Sequence, residues 1–301
     1  MLSRIDIENE LGKGINIYPL KLNNFKENSI NLTVSQNAWA SCDGTVYWYE
    51  NDKLSFTPNG DYKKKIDIKK GCSCILDANG KRKLMILLPH STTIVETSEV
   101  IAVASNIGGA LHSKVGVVAK GIGHIGTMLG PGYCGHLMIS LHNITDGIIV
   151  LPVGSTFVSL TFDYLISEVP RTSATTSGHV DKFSELGIKV DETTTTFLTE
   201  DWKSTLDGVR DKMTNSDEYI GLQERKKQNR IKKLKEMINK NIVISIIVVI
   251  VVFIILYLLA KYADTKCGVP VWVDRFWNVG CSGLICSVLL GIINSINNKS
   301  S

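Results

Sequence analysis

Apolar and polar residues alternate in short segments over the first 168 residues of the chain. Segments with the period of two expected of a half-buried strand are SINLTV, GTVYWYE, KLMILL, GHLMISLHN and STFVSLTFDYL. Turn residues such as Asp43-Gly44 and Asn59-Gly60 separate them. One short helix is predicted earlier, over LSRIDIENEL, because Ser3 suits an N-cap and Gly12 a helix stop. Many brief strands without long helices predict a mainly β domain, a sandwich, barrel or jelly roll, over residues 1–168.

The pattern changes after this domain, where serine and threonine replace apolar residues. The segments PRTSATTSG and DETTTTF contain almost no residue that could fill a core. We therefore predict a linker over residues 169–215. Within it, Trp202, Leu206 and Val209 fall on one helical stripe, which predicts a short helix between Thr199 and Asp211.

Two long apolar stretches lie in the C-terminal part. Residues 242–260 carry no charge, and their length matches a helix across the bilayer core. A buried globular helix is the alternative, although such a helix normally keeps a polar face. Residues 277–296 are less apolar and place Gly283, Ser287 and Gly291 at the spacing that permits close packing of membrane helices. The prediction is a transmembrane helical hairpin, with a re-entrant or interfacial second segment as the alternative.

Positive charge is concentrated just before the first apolar stretch. Between Gly221 and Lys240 the chain has eight Lys and Arg residues against two Glu, in a protein of net charge +4. Residues 216–241 are therefore predicted to form a basic juxtamembrane helix that faces anionic lipid on the cytoplasmic side. Such local clustering favours membrane lipid over nucleic acid as a partner. The first forty residues contain no secretory apolar region, so we expect a multi-pass cell-membrane protein with two spans and a cytoplasmic N-terminal domain.

The seven cysteines do not indicate a disulfide scaffold. The Cys72-Ser-Cys74 motif lacks a second cysteine pair or a nearby histidine, so no zinc site is expected there. The sequence also allows a disulfide between Cys267 and Cys281, which flank the predicted outer loop. Free thiols are predicted for Cys42, Cys72, Cys74 and Cys134.

One segment has the form of an active-site strand without its acid. The turn at Pro131-Gly132 leads into an alternating strand that ends at Asn143. One face is predicted to carry Leu137, Ile139 and Leu141, and the other Met138, Ser140 and His142. Between Met128 and Asn143 there is no Asp or Glu, although water-activating chemistry on a nucleotide usually needs a carboxylate as general base.

Four blocks in order resemble the dCTP deaminase and trimeric dUTPase superfamily. The segment from Ser29 to Leu32 resembles the Ser-Val-Asp-Leu motif of bacterial dCTP deaminases, and SKVGVVAKGIGH resembles their Arg-Ser-Ser loop. The segment GPGYCGHLMISLHN resembles the shared Asp-Pro-Gly strand, and VLPVGSTFVSLTFDY resembles the Pro-Gly segment that follows. The resemblance implies a distorted β-barrel or jelly roll and a homotrimer with pockets between subunits. It also implies a deoxynucleoside triphosphate ligand with Mg²⁺, and no zinc.

The chain departs from these motifs at the positions that carry the chemistry. Lys114 stands where the family has Arg, and Val115 stands at the phosphate-binding Ser. Gly130 replaces the Asp of Asp-Pro-Gly, and Ser140 falls where deaminases carry a proton-shuttling Glu. The loss of both acids indicates a degenerate catalytic site, although Gly130 could simply suit its turn and Lys114 and Ser140 could be solvated positions. The nucleotide-binding residues that the resemblance implies are Lys114, Gly116, Lys120 and Tyr133.

Three functions are compatible with these features. The first is a membrane-anchored pseudoenzyme that senses a nucleotide and signals to a membrane effector, which would make the protein a binder rather than an enzyme. The second is an active anchored dCTP deaminase or dUTP diphosphatase that recruits Glu96, Glu99 or Asp146 as its acid. The third is a structural oligomer at the membrane surface with an empty pocket.

Overall fold

The computed structural model describes residues 1–49, 53–78, 82–124, 126–169, 177–267 and Gly283. The chain divides into two compact units, residues 1–222 and residues 223–301. The first unit is built around antiparallel sheets, so the prediction of a mainly β domain is confirmed.

A short helix, α1 (Arg4–Glu10), opens the first unit as predicted. Ser3 is its N-cap, since the Ser3 hydroxyl accepts a hydrogen bond from the Asp6 amide while the Asp6 carboxylate accepts one from the Ser3 amide. This reciprocal capping satisfies two amides that a helix start otherwise leaves without partners. Ile7 is the residue of α1 that is buried in the core.

The main sheet is an antiparallel array in the order β10-β12-β8-β2-β14-β9-β11, with β1 also paired to β8. Two smaller sheets, β13-β7-β6 and β4-β3-β5, accompany it among the described residues. The strands are β1 (Ile15–Tyr18), β2 (Ile30–Ala40), β3 (Gly44–Trp48), β4 (Leu54–Ser55), β5 (Lys64–Ile68), β6 (Ile75–Ala78), β7 (Arg82–Leu87), β8 (Ser91–Val103), β9 (Ile107–Ser113), β10 (Ile122–His124), β11 (Met128–Leu129), β12 (Cys134–Asn143), β13 (Ile149–Pro152) and β14 (Thr156–Tyr164).

The two faces of β12 differ as the alternating pattern predicts. Leu137, Ile139 and Leu141 are buried in the main hydrophobic core. Met138 packs instead into a second apolar cluster on the opposite face of the sheet, and Ser140 is half-buried there. This opposite face, which we call the outer face, is the surface on which the following segment of the chain lies.

Residues 177–214 pack against the outer face, and we call them the cover segment. This differs from the linker predicted over 169–215, because a few well-spaced apolar residues are enough to bury a Ser/Thr-rich segment against a sheet that still has an uncovered apolar face. The cover segment contains a 3-10 helix (Ser177–Lys182), α3 (Glu192–Leu198), a second 3-10 helix (Asp201–Ser204) and α4 (Leu206–Thr214).

The predicted helical stripe in this segment is confirmed, although its helix starts later. Val209 is buried, and Trp202 and Leu206 pack around the same apolar cluster on the sheet. The Thr205 hydroxyl accepts a hydrogen bond from the Gly208 amide at 3.1 Å, so Thr205 acts as the N-cap of α4 and separates it from the preceding 3-10 helix.

The second unit contains most of a long helix, α5 (Asp217–Cys267), which includes the basic helix predicted over 216–241. Among the residues that the structure describes, no helix has both the length and the apolar character needed to cross a membrane. Many side chains of the predicted first span, 242–260, lie outside the described part of the chain. The predicted second span, 277–296, lies outside it except for Gly283, as does Cys281 with its candidate disulfide.

Candidate functional site

Buried polar side chains gather on the outer face of β8 and β12. In the strand register, Met138 lies opposite Glu96 and Ser140 lies opposite Ile94. Glu96 and Ser140 therefore share one face of the sheet, because residues two apart on a strand point the same way. A register shift between His136 and Met138 marks a bulge, which changes the direction of nearby side chains. We call the group made by Asn37, Glu96, Tyr133, His136 and Lys203 the outer-face site.

Glu96 is a fully buried carboxyl group in this site. Burial raises its pKa to about 8, against the opposing effects of a hydrogen bond from Asn37 and the positive charge of Lys203. The Asn37 amide donates to Glu96 Oε2 at 3.2 Å, whereas Oε1 has no partner. At neutral pH the acid is protonated, so the unpartnered Oε1 is available as a hydrogen-bond donor.

His136 supplies an unpartnered acceptor to the same site. Its Nδ1 lies 2.9 Å from the Thr97 carbonyl oxygen, which can only accept, so Nδ1 carries the proton. Nε2 is therefore an unprotonated nitrogen, and it is buried without a partner. Burial lowers the pKa of His136 to about 4, which keeps the ring neutral at physiological pH. Buried polar groups without partners are uncommon in proteins, so this donor and this acceptor mark a candidate site for a polar ligand.

Lys203 of the cover segment is also buried, with only 1% of its surface exposed. Its Nζ lies 3.2 Å from the centroid of the Phe197 ring and donates to the Phe197 carbonyl oxygen. Its ion pair with Glu200 is 3.7 Å long. Burial lowers the pKa of Lys203, while the charges of Glu200 and Glu96 oppose this shift.

Tyr133 stands at the entry to β12, in the loop that also contains Gly130. Its hydroxyl donates to the His136 carbonyl oxygen, and its ring lies 5.9 Å from that of His179 in the cover segment. Burial of the hydroxyl, with the nearby charge of Glu96, raises the pKa of Tyr133. Gly130 is exposed and has open space where a side chain would project. The structure thus places Tyr133 in the outer-face site, whereas a side chain at Gly130 would have no atom of the site within 4 Å of its Cβ.

The loop that the resemblance assigns to phosphate binding lies elsewhere in the same chain. Lys114 precedes α2 (Val115–Val118) and donates to the Thr156 hydroxyl at 2.5 Å. Gly116 and Lys120 are exposed, and Val115 is 85% exposed. Lys114 follows the last residue of β9, whereas Tyr133 is hydrogen-bonded to Val103, just before the first residue of β9. The length of this strand therefore separates Lys114 from Tyr133 by roughly 20 Å at the usual strand rise. One protomer alone does not bring the predicted nucleotide-binding residues together.

Of the three acids considered as replacements, Glu96 alone belongs to the outer-face site. Glu99 accepts hydrogen bonds from the Thr33 amide at 2.8 Å and the Thr33 hydroxyl at 2.7 Å, and Lys21 lies 4.0 Å away. Burial raises the pKa of Glu99. Asp146 is fully exposed and lies 2.7 Å from His90 Nε2. Neither group is available on the face that carries Ser140.

Metal-binding and cysteine chemistry add little to the site. Within the described ranges, no three His, Cys, Asp or Glu side chains are placed to hold a metal ion. As predicted, Cys42, Cys72, Cys74 and Cys134 form no disulfide bond.

Sequence reasoning identified Tyr133 and named Glu96 as one alternative acid, but it missed the other members of the outer-face site. Asn37 and His136 lie on different strands, and their side chains join the outer-face site only after β2, β8 and β12 pair. Lys203 was missed because it lies in a segment interpreted as a linker. The sequence did contain a signal for Lys203, because this lysine lies directly beside Trp202 and near Leu206, which were predicted to share one apolar helical stripe.

A family model described as dCTP deaminase-like matches residues 1–165. The chain belongs to the dCTP deaminase-like family. The match ends close to the boundary at residue 168 predicted from the sequence, so the cover segment and α5 lie outside the matched region. No curated protein matches the chain.

Several solved structures are similar to parts of this chain at low identity. The 2'-deoxycytidine 5'-triphosphate deaminase of Agrobacterium tumefaciens is 15% identical, covering 54% of this chain and 48% of that chain, with a TM-score of 0.36. A mutant dUTPase of phage phi11 of S. aureus is 16% identical, covering 32% and 87%, with a TM-score of 0.26. The EIAV dUTPase is 20% identical, covering 33% and 90%, with a TM-score of 0.26. The chain thus spans about half the length of the Agrobacterium protein.

Proposed function

We propose that the protein binds a pyrimidine deoxynucleoside triphosphate at the outer-face site without turning it over. The observation that carries this proposal is the pair of buried, unpartnered atoms, Glu96 Oε1 and His136 Nε2, on the face where the family places its acid. A protonated carboxyl and a neutral imidazole offer one donor and one acceptor. The edge of a pyrimidine base presents acceptors and, in cytosine, an amino donor, which complements this pair.

The triphosphate would be bound by the loop around α2 of a second copy of the chain. Lys114 and Lys120 supply positive charge there, and the exposed Gly116 leaves backbone amides accessible to phosphate. Since Lys114 and Tyr133 are far apart within one protomer, a site that uses both needs a neighbouring subunit. Large exposed apolar side chains near this loop, Val115 and Met128, support a homotrimer that covers them.

Mg²⁺ would enter with the nucleotide, on the phosphate oxygens. The described residues offer no group of carboxylate, histidine or cysteine ligands for a dedicated metal centre, and Mg²⁺ commonly reaches proteins through substrate phosphates and water. When bound, it would neutralise part of the triphosphate charge.

An active deaminase is the second candidate, and Glu96 favours it. A carboxyl whose pKa is raised to about 8 can give and take a proton near neutral pH, which is the property required of a general acid and base. The non-catalytic function is preferred because the family positions Gly130 and Ser140 carry no carboxylate, and because Glu96 is closed off from solvent by the cover segment.

The membrane proposal concerns α5 and the segment after it. Nine apolar side chains between Ile244 and Leu258 are 47–58% exposed, and a basic stretch precedes them along the same helix. A lipid bilayer would cover such a surface, with Lys and Arg at the anionic head groups. We infer a multi-pass anchor that leaves the deaminase-like domain in the cytoplasm and makes nucleotide binding a signal to a membrane effector.

The full chain in detergent micelles, mixed with dCTP or dUTP and Mg²⁺, tests the first two candidates directly. A binder gains thermal stability by mass action while ammonia and pyrophosphate release stay at background. Rapid product release that is lost in Glu96→Gln would instead establish the enzyme. Absence of both a stability shift and product would favour the structural oligomer.

A further inference from the structure

The outer-face site is closed by the protein's own chain. Glu96 has no exposed surface and His136 retains 3%, although the half-buried Ser140 lies on the same face of the sheet. The groups above them belong to the cover segment. The Phe197 ring lies 6.0 Å from the His136 ring, and the Lys203 ammonium interacts electrostatically with Glu96.

Phe197 resembles part of a bound ligand, because an aromatic ring beside His136 is also what a pyrimidine base would present. Neither Phe197 nor Lys203 forms a hydrogen bond with Glu96 Oε1 or His136 Nε2, so these polar atoms remain for the nucleotide. The Tyr133 ring, which the family resemblance assigns to the deoxyribose, is likewise occupied by the ring of His179. The cover segment thus fills the positions proposed for the base and the sugar.

Apolar contacts attach the cover segment on both sides of this corner. On one side, Phe183 packs at 4.9 Å on Trp39, in a cluster with Ile188 and Leu198. On the other side, Val209 is buried against Val100 and its neighbours. Each large side chain buried in this way contributes about 1.5–3 kcal/mol, so these regions hold the segment in place.

Apart from Leu198 and Trp202, which pack in the two apolar clusters, the corner from Phe197 to Lys203 is held less firmly than the regions that flank it. It buries the Lys203 ammonium group, whose hydrogen bond to the Phe197 carbonyl oxygen and ion pair with Glu200 both lie within the corner, so this charge does not attach the corner to the sheet. The Glu200 carboxylate, at 3.7 Å, compensates only in part because 42% of that side chain is exposed.

We propose that the corner Phe197–Lys203 is an internal occupant of the nucleotide site, and that its release admits the nucleotide. This inference rests on the proposed function, since it concerns the same site. The apparent affinity for nucleotide then depends on the fraction of molecules in which the corner is open. Changes that loosen the cover segment raise the affinity, and changes that stabilise it lower the affinity.

The test compares dCTP and dUTP binding with hydrogen exchange in the full chain in detergent micelles with Mg²⁺. Phe183→Ala removes the ring on Trp39 and should tighten binding at least tenfold, with faster amide exchange over residues 192–204. Phe56→Ala, at an exposed position outside the cover segment, should leave both unchanged. In the unmodified protein, nucleotide should itself speed exchange over residues 192–204.

Lys203→Met is an independent test in which nucleotide binding should become weaker rather than tighter. It also tests the proposal if Phe183→Ala does not fold. An apolar side chain of similar length removes the cost of the buried charge, so the corner should exchange more slowly and nucleotide should bind about tenfold more weakly. The matched control is Lys189→Met, at an exposed position of the same segment. Unchanged binding in both test variants, with nucleotide still bound, would overturn the inference and leave the proposed function intact. No nucleotide binding by a Phe183→Ala protein whose residues 192–204 exchange freely would contradict both.

Discussion

Replacing Glu96 by Gln should reduce the loss of folding stability as the pH rises from 5.5 to 7.5. The native pKa of Glu96 is raised to about 8 from an ordinary value of 4.5, so between these values the folded protein retains a proton that the unfolded chain releases. Stability is therefore lost as pH rises through this window, at up to about 1.4 kcal/mol per pH unit. Gln is neutral at every pH and can still accept the Asn37 hydrogen bond, so it removes this loss.

The expected size follows from the two pKa values. Between pH 5.5 and 7.5 the unmodified protein should lose about 2.5 kcal/mol relative to Glu96→Gln. For a unit of this size, that free energy corresponds to a relative fall in melting temperature of roughly 5–10 °C. The low pKa of His136, about 4, removes stability as pH falls below 6.5, but this contribution is common to both proteins and cancels in the difference.

The assay is thermal unfolding of the full chain at pH 5.5 and 7.5, followed by tryptophan fluorescence. Glu185→Gln is the control, because it removes an exposed carboxyl and should change stability by less than about 0.5 kcal/mol at either pH. A melting-temperature difference between Glu96→Gln and the unmodified protein that stays constant across the two pH values would refute the reasoning. It would mean that Glu96 is ionised in the folded protein and that the site offers no donor at Oε1.

Three further predictions concern the cover segment, the lost acid and the subunit contact. Gly71→Ala should lower the free energy of unfolding in urea by more than about 2 kcal/mol, because the φ of Gly71 is +72° and the new Cβ would lie 2.0 Å from the Gly187 carbonyl oxygen. Gly60→Ala is the control, with φ +78° and open space around its Cβ, and should cost about 1 kcal/mol or less. Gly130→Asp should leave the melting temperature nearly unchanged, since nothing lies within 4 Å of the position of its Cβ. Val115→Asp should shift the assembly from trimer to monomer in light scattering, and an unchanged trimer would exclude this surface from the interface.

The sequence predicts the framework of the domain well, because local chemistry determines it. Ser3 caps α1 and the alternation along β12 places Leu137 in the core, and neither depends on distant contacts. The cover segment could not be predicted in this way. Its few apolar residues are isolated in the sequence and become a buried layer only because the outer face presents Trp39 and Val100 to them.

The candidate site was predicted only in part for the same reason. Tyr133 follows a recognisable turn and motif, so its position could be read from the sequence. The pKa of Glu96 is determined mainly by burial, and it also depends on the charge of Lys203, more than 100 residues further along the chain. No local pattern identifies which of several buried acids will lack a partner, because that depends on strand register and on how residues from separate strands meet.

The most direct test of the account is a calorimetric titration of dCTP and dUTP into the full chain with Mg²⁺, alongside Tyr133→Ala. We expect saturable binding by the unmodified protein that Tyr133→Ala weakens at least tenfold, because the ring lies in the outer-face site and offers a surface to the sugar. Tyr133→Phe should retain most of that affinity. Absence of saturable heat with either nucleotide, or equal binding by the unmodified protein and Tyr133→Ala, would contradict the assignment of the outer-face site as a nucleotide-binding site.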